Sequence, residues 1–147
     1  MSSASKDAPL DRESTEVQCS LNVFSHSVSA REVTAHVGIE PTVERVKGEA
    51  RPGRNREMLV ASHQWVWKPA SSVEHLLDSQ LDAIWSALGP YAEAFSSLPA
   101  EAKVTLSMWI VHHGTELSLG WVLDRRHVAA AAAFGASLDV DEYDDTE

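Results

Sequence analysis

The spacing of apolar positions along this chain switches repeatedly between two and three-to-four residues. Val17, Cys19, Leu21 and Val23 alternate with Gln18, Ser20 and Asn22, which predicts a strand with one wet face. Ser29-Ala-Arg-Glu32 has the spacing of a capping box, and Ala30, Val33 and Val37 share one helical face. Gly38 is placed to end that helix, and Pro41 forbids its resumption. A second strand is expected near Thr42, followed by a Gly-, Pro-, Arg- and Asn-rich loop over residues 47–56. Residues 58–68 return to extended character, with Trp65 and Trp67 on one face and Val66 on the other.

Ser71-Ser-Val-Glu74 repeats the capping-box pattern ahead of the clearest helical stripe, formed by Val73, Leu76, Leu77, Leu81, Ile84, Trp85 and Leu88. Gly89-Pro90 stops it, and a short second helix is expected over residues 91–98. Val104, Leu106, Met108 and Ile110 alternate with Thr105, Ser107 and Trp109. After a turn at His113-Gly114-Thr115, Leu117, Leu119, Trp121 and Leu123 alternate again, and the pair reads as a hairpin. Asp124 suits the N-cap of an Ala-rich helix ended by Gly135, and Leu138 and Val140 form a last short strand.

The resulting order is β-α-β-β-α-β-β-α-β. Residues 17–43 and 117–140 echo each other: strand, polar N-cap, helix, terminating glycine, strand. The expected fold is therefore α+β, a ferredoxin-like split βαβ arrangement. It has a mostly antiparallel sheet, helices on one face and a helical insertion in the middle. Residues 1–15 read as a flexible leader, 16–143 as a single domain and 144–147 as an acidic tail.

Several of these segments also resemble a known family. A strand ends in Phe24, Ser29 opens a helix, and Val37-Gly-Ile-Glu-Pro-Thr42 and Lys47-Gly-Glu49 follow. A Trp in the third strand and a closing Leu138-Asp-Val-Asp-Glu-Tyr143 complete the set. In order and spacing these resemble the bacterial domain-of-unknown-function 4279 family over about residues 17–143. The family usually carries Leu where this chain has Val37. The resemblance implies this fold and a cytosolic bacterial or phage protein, and it supplies no catalytic residues.

Composition narrows the function. The chain has 147 residues, 44% of them hydrophobic, enough for one self-sufficient core. Its formal charge of −10 opposes nucleic acid and anionic lipid, and the Arg45, Lys47, Arg51, Arg54 and Arg56 cluster reads as a soluble loop. No apolar run spans a bilayer, so no membrane partner is expected. The single cysteine excludes a disulfide framework and a thiolate metal cage, and points to the cytoplasm. Lying on an apolar strand face, Cys19 reads as an inert buried thiol.

Seven histidines invite a metal site, but none of them pairs at helical ligand spacing, and His112 and His113 point to opposite faces of a strand. No metal and no cofactor is expected. His63 and His112 could meet across strands and are the two pocket candidates. No nucleophile elbow, phosphate loop or dinucleotide fingerprint occurs, so no catalytic residue is assigned. Five tryptophans are many for this length. If helices cover only one sheet face, Trp65, Trp67 and Trp109 are left on the other, flanked by Arg54 and Arg56. That patch is either an interaction surface for a protein partner or a homodimer, or it is packed internally. The expected function is a non-catalytic binding module, with an immunity-type inhibitor steered by its negative charge as one form. The alternative is an uncharacterised enzyme or ligand-binding protein with a histidine-containing pocket.

Overall fold

The alternating residues 17–23 belong to the central strand of a five-stranded sheet, whose second half has a strand on either side. The computed structural model describes residues 15–50, 59–113 and 121–145. In chain order the elements are β1 (Thr15–Ser25), α1 (Ala30–Val37), β2 (Val43–Arg45), β3 (His63–Trp67), α2 (Leu77–Leu88), a 3₁₀ turn (Gly89–Tyr91), α3 (Ala92–Ser96), β4 (Lys103–His113), α4 (Arg125–Ala133) and β5 (Ser137–Asp145). The five strands are ordered β2-β3-β1-β4-β5. Every neighbouring pair is antiparallel except β4 and β5. The architecture is α+β, with a mostly antiparallel sheet.

Register decides which side each residue faces, since directly paired residues share a face. Val17, Cys19, Leu21 and Val23 pair with Ile110, Met108, Leu106 and Val104. All eight are buried in one core with Val33 of α1, Leu81, Ile84 and Leu88 of α2, Phe95 of α3 and Phe134. The helices therefore cover that face, while Gln18, Lys68 and Trp109 of opposite parity stay exposed.

Helix α1 is built as its sequence prescribes. Glu32 N–H donates to Ser29 Oγ at 3.1 Å and Ser29 N–H donates to Glu32 Oε1 at 2.8 Å. Gly38 closes the helix at φ 88°, where a β-carbon would be strained. Helix α2 begins later than its stripe suggests. The Ser71–Glu74 capping box does not form, and Leu77 opens the helix behind an uncapped Leu76. The reason lies in the sheet. β3 ends at Trp67, opposite Leu21, so the first half of β1 lacks a strand partner on that side. The segment before α2 supplies one: Val17 N–H donates to His75 O at 2.9 Å. Buried Gln80 accepts from Cys19 N–H at 3.1 Å and donates to Glu74 O at 2.9 Å, imitating a strand with its carboxamide.

The hairpin expected after His113 is replaced by a different pairing. Both edges of β4 are taken, by β1 and β5. Leu117 and Leu119 lie outside the described residues, and Trp121 and Leu123 sit in irregular chain before α4. Asp124 occupies the N-cap position without bonding through its side chain. Its carboxylate faces Arg126 Nε at 3.6 Å. The last strand is longer than Leu138 and Val140 suggest, and carries the acidic residues up to Asp145 along β4. Among the described residues no helix is long and apolar enough to cross a membrane.

Candidate functional site

The tryptophans part company across the sheet. Trp65 pairs with Val23 and Trp67 with Leu21, both on the helix-covered side. Trp65 is 0% exposed. Its ring meets Phe95 edge-on at 5.2 Å, and its Nε1–H donates to Thr34 Oγ1 at 3.1 Å. Trp67 is half-buried against the same core. Neither contributes to an open patch, which corrects the grouping of Trp65 and Trp67 with Trp109. The strand His-Gln-Trp-Val-Trp has apolar residues on both parities, so its facing depends on register alone.

Trp109 pairs with Gln18 and lies on the uncovered face, 39% exposed. On its other side β5 brings Asp141 into register with it, and Asp139 into register with Ser107. Tyr143 of β5 is 51% exposed and tilts against the indole with ring centroids 6.1 Å apart. Below this aromatic pair the sheet is polar. Gln18, Ser20, Ser107, Trp109 and Asp141, with Lys68 at the far side, line a recess of about 190 Å³. Asn22 Nδ2–H donates to Ser107 Oγ at 2.7 Å, while its buried Oδ1 has no partner among the described residues. Gln18 Nε2–H donates to Glu16 Oε2 at 3.0 Å. That bond, then one from His113, holds the Glu16 carboxyl below its ordinary value, with smaller help from the charges of His75 and His113 and against a burial penalty.

Tyr143, Asp139 and Asp141 were missed because the closing segment read as a short strand running into a solvated tail. The signal was present: Asp139, Asp141 and Tyr143 alternate with Leu138 and Val140. Arg54 and Arg56, expected to flank the patch, lie outside the described residues.

The two pocket histidines are not brought together. His63 pairs with Ser25 and His112 with Thr15, at opposite ends of β1. Ten residues of strand separate those positions, about 33 Å. His63 Nδ1 accepts from Lys47 N–H at 3.2 Å. His112 is 6% exposed, with Nε2 2.6 Å from Glu142 Oε2 and Nδ1 3.2 Å from Thr15 Oγ1. A carboxylate only accepts, so Nε2 carries a proton, and the Thr15 hydroxyl bonds Nδ1. This chain borders an apolar cavity of about 180 Å³ that includes Leu76, Leu77, Ile110 and Trp121. A third histidine, His127, is fully buried. Trp85 Nε1–H donates to its Nδ1 at 3.0 Å and its Nε2–H donates to Asp78 at 2.8 Å, tying α4 to α2.

Cys19 lies in the core, and burial pushes its thiol up to about 12, so it is neither nucleophile nor ligand at neutral pH. Among the described residues no group of three or more His, Cys, Asp and Glu is placed to hold a metal ion.

No curated protein and no solved structure matches the chain. The sequence model of a domain of unknown function (DUF4279) matches residues 15–145, from the first strand of the sheet to the last, and the chain belongs to that family.

Proposed function

We propose that this protein is a non-catalytic interaction module that docks a basic protein partner on the uncovered face of its sheet. The observation that carries the reading is the Trp109–Tyr143 pair, exposed on a sheet face beside Asp139 and Asp141. Exposed aromatics at the centre of a patch are the commonest energetic anchors of interfaces. The strand residues of the sheet, each covering ~3.3 Å by ~4.8 Å, give the face on the order of 600 Å², within which Asn22, Val66 and Val111 are buried. That approaches the ~800 Å² per partner of a standard complex. The net charge of −10 adds long-range attraction for a basic partner and faster association. An immunity-type inhibitor of a basic toxin is one form such a module takes, and a buried, reduced Cys19 suits a cytosolic setting. We read the strand order β2-β3-β1-β4, linked as βαββαβ, as the ferredoxin-like split arrangement, with α4 and β5 added along β4.

The test is capture with the wild-type chain alongside Trp109→Ala and an Asp139→Lys/Asp141→Lys double variant, followed by titration of the purified partner. The expected result is a partner held less tightly as salt rises. Trp109→Ala weakens it by about 30-fold or more, the equivalent of the ~2 kcal/mol of an interface anchor. Equal retention by the wild type and both variants would overturn the reading. The Thr15–His112–Glu142 chain beside its apolar cavity favours a second reading, a small-ligand pocket. That reading is supported if a bound small molecule perturbs Trp121 and His112 while Trp109 stays silent.

A further inference from the structure

The recess beside Trp109 has a chemistry more specific than a docking surface needs. At about 190 Å³ it is smaller than the ~300–1,000 Å³ that holds a drug-sized ligand, and it suits one inserted side chain. Trp109 lines it beside Asp141, whose carboxylate has no ion-pair partner among the described residues. The amide nitrogen of Gln18 is committed to Glu16, which leaves its carbonyl oxygen as a further acceptor on the floor. An indole beside carboxylate and amide acceptors calls for a planar cation carrying several N–H donors.

We propose that the recess holds a single arginine side chain of the protein partner, its guanidinium stacked on Trp109 and forked onto Asp141. The proposal rests on the interaction-module reading above and names the chemistry of its partner. Arginine fits better than lysine because its guanidinium is flat, weakly hydrated and able to give two parallel hydrogen bonds to one carboxylate. It also stacks on indole rings, which an ammonium does only as a point charge. One cation opposes it, Lys68, the residue after β3. It shares the recess, but its ammonium is exposed on a flexible stem and turns outward to solvent when the guanidinium enters. Asp139, one register step away, adds to the attraction. A second copy of this chain is a poor occupant, since facing copies would bring Asp139 and Asp141 of two β5 strands together.

The experiment titrates the full ¹⁵N-labelled chain with three capped heptapeptides, Gly-Ser-Gly-X-Gly-Ser-Gly, where X is arginine, lysine or citrulline. The readout is the indole N–H resonance of Trp109, identified by its loss in Trp109→Phe. Saturable movement is expected with the arginine peptide, binding at least about 5-fold tighter than lysine, and none with neutral citrulline. Asp141→Asn should weaken the arginine peptide by about 5-fold or more without lowering the melting midpoint. Equal binding of lysine and arginine, an unresponsive Trp109, or indifference to Asp141→Asn overturns the proposal. If capture of the partner still depends on Trp109 in that case, the docking reading stands and only the arginine anchor falls. Capture indifferent to Trp109→Ala ends the docking reading itself. A dimer in sedimentation that Trp109→Ala dissolves assigns the recess to a second copy and also overturns the proposal.

Discussion

Replacing Trp65 by Ala removes an indole that no solvent touches. Three losses follow from its surroundings. Excavating a buried Trp costs ~3–5 kcal/mol in transfer and cavity terms. The edge-on contact with Phe95 at 5.2 Å adds ~1 kcal/mol. The hydrogen bond to Thr34 Oγ1 adds little, because Thr34 is only half-buried and can turn to water. The sum is about 5 kcal/mol, a large part of the ~5–15 kcal/mol that holds a domain together. For a chain of this size it lowers the melting midpoint by about 10–20 °C. Thermal unfolding followed by circular dichroism, with a urea titration to convert midpoints to free energy, measures it. Trp109→Ala, run beside it, should move the midpoint by less than about 4 °C, because its ring is exposed. A Trp65→Ala shift no larger than that of Trp109→Ala would refute the reasoning at its root. It would mean that β3 is displaced by one residue against β1, since a one-residue slip exchanges the two faces of a strand.

Two further changes probe the stitching of β1. Gln80→Glu keeps an acceptor for Cys19 N–H but loses the donor to Glu74 O and places a charge where the amide is buried. A loss of ~2–4 kcal/mol by urea denaturation at neutral pH is expected, shrinking on acidification as the carboxyl takes a proton and regains a donor. A loss below ~0.5 kcal/mol would show that the carboxamide does not complete the strand. Cys19 predicts an alkaline effect. Its thiol is held at about 12 in the fold against 9.0 ordinarily, so between those values the unfolded chain has released a proton that the folded chain keeps. Stability therefore falls as pH rises through that window, by up to ~1.4 kcal/mol per unit. Cys19→Ala should remove that part of the slope, and an unchanged slope would place the thiol in contact with solvent.

Local chemistry made much of this fold readable. The Ser29 capping box and the left-handed Gly38 depend on residues a few positions apart, and both form as expected. The alternations of β1 and β4 announced strands because one side of each is apolar and the other polar. Where both sides are apolar, as around Trp65, Val66 and Trp67, pattern names the strand without naming its face. Pattern failed again where the edge of β1 demanded a partner. The residues of the second capping box were drawn into irregular chain that offers its carbonyls to Val17 and Gln80, a requirement set by β3 stopping at Trp67.

The candidate site divides along the same line. Trp109 stood on the polar parity of its strand from the start, and its exposure followed once helices covered the other side. That Asp141 and Tyr143 would stand beside it was decided by β5 running parallel along β4 in place of a hairpin strand. That His63 and His112 would stay apart was decided by the direction of β1. Residue order specified the elements, their caps and the charge, since these rest on steric and hydrogen-bonding preferences within a few residues. The pairing of distant strands rests on competition for sheet edges and for burial across the whole chain, and only the folded molecule resolves it.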